Sequence, residues 1–258
     1  MPLSPSNPKI PKKSQLAKKP WKVAQSKPSA TTATKLKSQL SGPVASPKVR
    51  SSKAPVSETL SLLQRYYPDA HCELNFETPF QLLIATILSA QCTDVRVNFV
   101  TPHLFAQYPS PFEMAKASPE NLEELIRSTN FYKNKARNLK KCSEVLVEKY
   151  QGRVPENLEA LIELAGVGRK TANVVLGNAF DIISGIVVDT HVSRLANRLG
   201  WTKAENAEVI ERGLQKLIPQ DKWILLSHWL ISHGRAVCKA RKPACQVCFL
   251  FEQCPKII

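Results

Sequence analysis

The chain has 258 residues, with 36 Lys+Arg against 21 Asp+Glu and a formal net charge of +15. Twelve of the basic residues and none of the acidic ones lie in residues 1–57, so the other 201 residues are close to neutral, with 24 basic against 21 acidic. That remainder is long and apolar enough for one large domain or two small ones, which excludes a wholly disordered, collagen-like or small disulfide-scaffold chain.

Residues 1–57 also hold nine of the nineteen prolines and show no sustained apolar period. Such a segment buries too little apolar surface to offset its chain entropy, and it is expected to be a disordered basic tail. Its charge would be drawn to a polyanion through counterion release. A solubilising tail or an organelle-targeting peptide is the competing reading; the excess of Lys over Arg speaks against targeting.

From Glu58 onward the expected class is all-α. SETLSLLQRYY starts with Ser57 as a candidate N-cap and ends at Pro68. PFQLLIATILSAQ follows from Pro79, and Thr93 is placed to cap TDVRVNFVTPHLFAQY, which Pro102 is expected to break. The uncharged run from about Thr78 to Thr93 contains Gln81, Ser89 and Gln91 and is too short to span a membrane. Two similar phrases, PENLEELI and PENLEALIELA, follow Ser118 and Val154, each with Pro expected at the first helical position. The β-branched run Ile186–Asp189 is too short to build a sheet.

In LIELAGVGRKTANVVLGNAF an apolar helix (Leu158, Leu161, Ile162, Leu164) runs into Gly166-Val167-Gly168, and a second helix begins at Arg169-Lys170-Thr171. The unpaired N–H groups and positive dipole end of that helix form a place where phosphate can sit, and Arg169 and Lys170 add charge there. By itself the turn fits an ordinary αα-hairpin equally well. Lys170 is expected beside two influences unfavourable to its charged form, partial desolvation and the helix N-terminus, which favour a nucleophilic free amine. A phosphate-binding lysine is the alternative. Asp189, in IVVDTHVSRLANRLG, is either a simple helix N-cap or an ionised carboxylate held in a cleft to accept a proton or stabilise positive charge. His191, Arg194 and Arg198 follow at helical spacing, facing either phosphate or solvent.

Of seven cysteines, Cys72, Cys92 and Cys142 are scattered, whereas Cys238, Cys245, Cys248 and Cys254 crowd into a C-x6-C-x2-C-x5-C pattern. That suits a reducing compartment and one metal site, either a tetrahedral zinc or an iron–sulfur cube; the spacing does not separate them. The loop KARKPA between the first two ligands carries Lys239, Arg241 and Lys242, a basic projection suited to phosphate.

Together SAQCTD (89–94), FYKNKA (131–136), LAGVGRKTANVV (164–175), VVDTHVSR (187–194), HWLISHGRAVC (228–238) and the four-cysteine pattern closely resemble the endonuclease III family of helix-hairpin-helix DNA glycosylase/lyases, over about Glu58 to Pro255. The resemblance implies two helical lobes gripping duplex DNA. One is a six-helix lobe over 73–183 with the hairpin at 158–180; the other combines 58–72 with 184–258 and holds one [4Fe-4S] cluster. It implies that Lys170 and Asp189 are catalytic and that Gln91 and Phe131 fill the gap left by an extruded nucleotide. It also implies DNA contacts from Gly166, Gly168, Arg169, His191, Arg194, Lys239, Arg241 and Lys242. The implied activity is removal of oxidised pyrimidines and cleavage 3′ to the abasic site through a lysine Schiff base, by a monomer, in a bacterial cytoplasm or nucleoid unless the tail targets an organelle. Three departures stand out: Ala165 where the family usually has Pro, no Pro in the DIISG loop, and Asn130 where Gly is frequent. Rival readings are a mispair glycosylase of the same fold, which generally lacks the lysine, a non-catalytic DNA-binding module with structural zinc, and a redox sensor.

Overall fold

The computed structural model describes residues 51–256. Among these every regular element is helical, with no strand. In chain order the helices are α1 (Val56–Tyr66), α2 (Pro79–Ser89), α3 (Asp94–Gln107), α4 (Pro111–Lys116), α5 (Pro119–Ile126), α6 (Tyr132–Tyr150), α7 (Leu158–Ile162), α8 (Arg169–Ala179), α9 (Thr190–Arg198), α10 (Ala207–Leu217) and α11 (Trp223–Ala236). None is long and apolar enough to cross a membrane.

Two hydrophobic cores organise them. The first centres on α2, whose residues 82–88 are all buried, as expected of a helix apolar on every side. Helices α3, α6 and α8 pack around it. The second forms around Leu63 of α1 and Trp229 of α11, with Ile186, Leu195, Ile210 and Leu214. The chain enters the first core after α1 and leaves it after α8, and Ile186 and Val188 begin the return to the second, just before Asp189.

Local chemistry sets the helix starts. Thr78, Thr93 and Ser118 each accept a hydrogen bond from an N–H of the first turn, as their residue types favour. Three expectations fail for identifiable reasons. Helix α1 begins at Val56 with Pro55 at its N-cap; Ser57 is already helical, and its carbonyl accepts the Ser61 hydroxyl. The two PENLE phrases differ: Pro119 opens α5, but α7 begins only at Leu158, because Asn157 caps it by accepting from the Ala160 N–H at 2.8 Å. Pro102 does not break α3, because it sits on the exposed face, where water can take the carbonyl it leaves unpaired.

The tail expected over 1–57 lies outside the described residues up to 50, and its last part is folded. Ala54 is buried, its N–H donates to Leu199 O at 2.8 Å, and its carbonyl accepts from the Trp201 indole at 3.0 Å.

Candidate active site and metal centre

The hairpin turn is built by glycine geometry. Gly166 has φ +80°, and a Cβ there would come within 2.9 Å of Asn138, so neither the backbone nor the space admits another residue. Gly168 is different. It is the N-cap of α8 at φ −94°, and a Cβ built on it meets nothing within 4 Å. The fold therefore has room for a methyl group at 168, so any cost of alanine there to duplex binding would report on what approaches from outside. Gly168→Ala is expected to lower stability by no more than about 1 kcal/mol, the difference between glycine and alanine as N-caps, while weakening duplex binding about tenfold, the loss of one charge-assisted backbone contact. Parallel thermal melts and fluorescence-anisotropy titrations check both halves.

Lys170 occupies the second position of α8. It is exposed rather than desolvated, and its ammonium has no hydrogen-bond or ion-pair partner among the described residues. Asp189 caps α9, Oδ1 accepting from the Val192 N–H at 2.8 Å. The N-cap reading is thus correct, but it leaves Oδ2 without a partner among the described residues. Both side chains line one cleft, with about 1160 Å³ of empty space including its mouth. Gln91 lines it as well.

The cleft runs between the two cores. Its rim is tied by Arg235 of α11, which donates to Asp94 Oδ2 at 2.6 Å and stands 4.0 Å from Glu73 Oε1. Deeper in, His228 shares a 2.9 Å hydrogen bond with Asn178 Oδ1, and the Asn178 amide donates in turn to Val174 O. That orientation makes His228 Nε2 the donor. Burial, and secondarily nearby His71, push the His228 pKa from 6.5 to about 4. Unfolding exposes a histidine that binds a proton below its ordinary pKa while the folded one does not, so stability falls as pH drops from about 6.5 toward 4. At pH 5 the loss is about 2 kcal/mol. Denaturation of wild type and His228→Gln at pH 7.5 and 5 should show that much less pH dependence in the variant.

Several basic residues expected on DNA have protein partners. Arg169 bonds Glu211 on α10 through Nε at 3.0 Å and Nη2 at 3.3 Å, and this pairing raises its pKa. Glu211 is buried and also accepts from Asn173 and Gln215. A Cβ at Gly185 would collide with Glu211 and Asn173, which explains the glycine kept in the DIISG loop. Arg194 donates to the carbonyls of Gly234 and Cys238 and lies 3.2 Å from His191 Nδ1. Its partners hold it inward instead of presenting it on a free face. Burial lowers the His191 pKa, against the opposing pull of Asp189. Lys239, Arg241 and Lys242 are exposed, as a phosphate-facing projection requires.

Gln91 and Phe131 are exposed at loop tips, Phe131 at 61%. Phe131 is therefore no core residue. Both adopt left-handed backbone conformations, φ 51° and 56°, each costing about 1–3 kcal/mol that surrounding contacts must offset.

The four cysteines Cys238, Cys245, Cys248 and Cys254 ring a second cavity together with Leu195 and Leu199. Four thiols around one cavity are the donor set of either a tetrahedral zinc or an iron–sulfur cube. Donors already face the sulfurs: Arg198 Nη1 lies 3.3 Å from Cys238 Sγ, the Lys256 N–H 3.4 Å from Cys254 Sγ, and His233 Nε2 3.4 Å from Cys248 Sγ. Tyr67 Oη lies 3.0 Å from His233 Nδ1, so the imidazole bridges the phenol and the Cys248 sulfur, with the tautomer setting which way each bond runs. Burial, then the neighbouring cysteines, push the Cys248 thiol up to about 11, so a metal ligated there would have to supply the charge that holds it as thiolate.

Comparison with known proteins agrees with this architecture. Residues 84–220 match the family model of the HhH-GPD superfamily base excision DNA repair proteins, and residues 238–254 match that of the iron-sulfur binding domain of endonuclease III. Endonuclease III of Synechocystis is 53% identical over 208 residues, 81% of this chain and 95% of the relative. The chain belongs to the endonuclease III family. The Escherichia coli K12 endonuclease III is 43% identical over 78% of this chain and 95% of its own length. A non-covalent endonuclease III–DNA complex superposes with a TM-score of 0.74 at 45% identity, covering 78% of this chain and 94% of that one; a trapped covalent endonuclease III–DNA intermediate gives the same values. A thermostable thymine-DNA glycosylase, at 23% identity and TM-score 0.70, shares the fold. As a member of the endonuclease III family the chain is a base excision repair DNA glycosylase with lyase activity, and it carries one [4Fe-4S] cluster.

The sequence reading missed Tyr67, His233 and Arg198 as supports of the cluster and Arg235, Asp94 and His228 as parts of the cleft. Only His233, five residues before Cys238, and Arg198, one turn from Arg194, carried any signal.

Proposed function

We propose that Lys170 is the nucleophile and Asp189 its assisting carboxylate in removing oxidised or ring-saturated pyrimidines, such as thymine glycol, from duplex DNA. The observation that carries this reading is the shared cleft, lined by an unpaired amine on one core and a half-free carboxylate on the other. The damaged nucleotide leaves the stack, because its sugar carbon is unreachable inside the duplex. Lys170 Nζ attacks C1′ while the bond from C1′ to the base nitrogen breaks and the base departs. Asp189 Oδ2 stabilises the positive charge on the sugar or takes the proton that the amine sheds. The sugar ring opens to a protonated Schiff base, a C2′ proton is removed, and the C3′–O bond breaks in β-elimination. The [4Fe-4S] cluster supplies rigid cross-links that order the basic loop, and none of these steps passes through it.

Gln91 and Phe131 fill the space vacated by the extruded nucleotide, Phe131 stacking on the exposed bases. The hairpin N–H groups at Gly166 and Gly168 and the cations Lys239, Arg241 and Lys242 contact phosphates, with His191 beside the reacting strand. The bacterial relatives favour a bacterial cytoplasm or nucleoid, where the basic tail raises the local concentration of DNA. The test is borohydride trapping on a thymine-glycol duplex. A covalent protein–DNA band supports the reading; intact binding with no band would reassign the chain to base release without lyase chemistry.

A further inference from the structure

We propose that Asn130 is a positioning residue that joins the two wedge loops, so that Gln91 and Phe131 enter the duplex as one unit. The inference rests on the reading of those two residues as gap-fillers. They come from different parts of the chain: Gln91 follows the end of α2, and Phe131 precedes α6. Each holds a left-handed backbone that an isolated loop would not keep. One hydrogen bond joins the loops and a second joins the helices that flank them. Asn130 Nδ2 donates to Gln91 O at 2.5 Å, and Lys135 Nζ donates to Leu88 O at 2.8 Å. Lys135 is buried, so its ammonium satisfies a last-turn carbonyl of α2 from within the core and sets the distance between the loops. Asn130 is exposed and bonds directly to the tip residue, so it sets the tip. Its own base is anchored: Thr129 is buried, and both its N–H and its hydroxyl donate to Ile126 O at 2.8 Å.

The bond depends on the side chain at 130: glycine there would have no amide to reach Gln91. The carbonyl of Gln91 is fixed while its side chain stays free, which is the arrangement a rigid wedge requires.

The experiment uses the full protein and a duplex with a tetrahydrofuran abasic analogue flanked by 2-aminopurine. The analogue has no aldehyde for the lysine, so the fluorescence rise reports unstacking alone. Asn130→Ala should slow the rise about two- to tenfold, the range one net hydrogen bond supplies. Thermal stability and borohydride trapping on a single-stranded abasic site, which needs no wedge, should stay at wild-type values. In a Gln91→Ala/Phe131→Ala background, adding Asn130→Ala should change nothing further. An unstacking rate at wild-type level in Asn130→Ala, or a loss that persists undiminished in the double-variant background, overturns the positioning role. If the double variant itself unstacks the duplex like wild type, the gap-filling reading falls, and this inference with it.

Discussion

Lys170→Gln is expected to abolish the borohydride-trapped complex and reduce strand cleavage at abasic sites by at least about 10³-fold, with duplex binding retained. The structure makes this substitution clean. Lys170 has no partner among the described residues, so its removal orphans no buried group. Glutamine is nearly as good a helix former, and the second position of α8 is exposed. Loss of one cation from a chain with so large a positive excess alters phosphate attraction by a single contact. A drop in trapping that accompanies wild-type affinity therefore measures chemistry. Retained lyase activity would move the nucleophile elsewhere, and loss of binding in step with activity would make Lys170 a phosphate contact.

The candidate residues differ in how legible they were. Four crowded cysteines narrow the alternatives by themselves, whereas an aspartate at a helix start is a common cap and a lysine after two glycines fits an ordinary hairpin, so Asp189 and Lys170 stood out only through the resemblance of the phrases around them. Charge allocation was not legible. Arg169, Arg194 and Arg198 look like phosphate ligands on paper, yet Glu211 and the carbonyls of residues 234–240 hold them in the fold. Those partners lie about forty residues away in sequence, and a cation does not announce whether its anion is internal. The helix starts fail for the opposite reason, since the competition is local: Asn157 and Pro155 both suit the start of α7, and the asparagine's side-chain acceptor wins. The same holds at the tail boundary. Ala54 is bound by Leu199 and Trp201, which no property of residues 51–57 reveals.

The captured arginines give the basic loop its rigidity. Arg198 holds the carbonyls of Lys239 and Ala240 at 2.8 and 3.0 Å while approaching the Cys238 sulfur, and Arg194 holds the carbonyl of Cys238. The guanidinium forks fix the loop backbone from inside, so the exposed side chains of Lys239, Arg241 and Lys242 start from a fixed frame. Lysine at 198 would keep the charge and lose the fork.

Asp189→Asn separates the two roles of the carboxylate. Asparagine caps helices as well as aspartate does, and its Oδ1 still accepts from the Val192 N–H, so the variant is expected to melt like wild type. Asp189→Ala, which loses the cap, should instead be destabilised by about 1 kcal/mol. What Asn cannot supply is charge. With the partner-free Oδ2 replaced by an amide, base release from a thymine-glycol duplex should slow by about 10²- to 10⁴-fold, the usual contribution of a positioned proton-transfer group. Single-turnover release of free base, measured beside a thermal melt of each variant, decides the matter. Undiminished release in a well-folded Asp189→Asn protein would reduce Asp189 to a helix cap. A large loss in Asn, with Ala slower by no more than its loss of folded protein explains, assigns the effect to the charge at Oδ2, because the cap survives in one variant and not in the other.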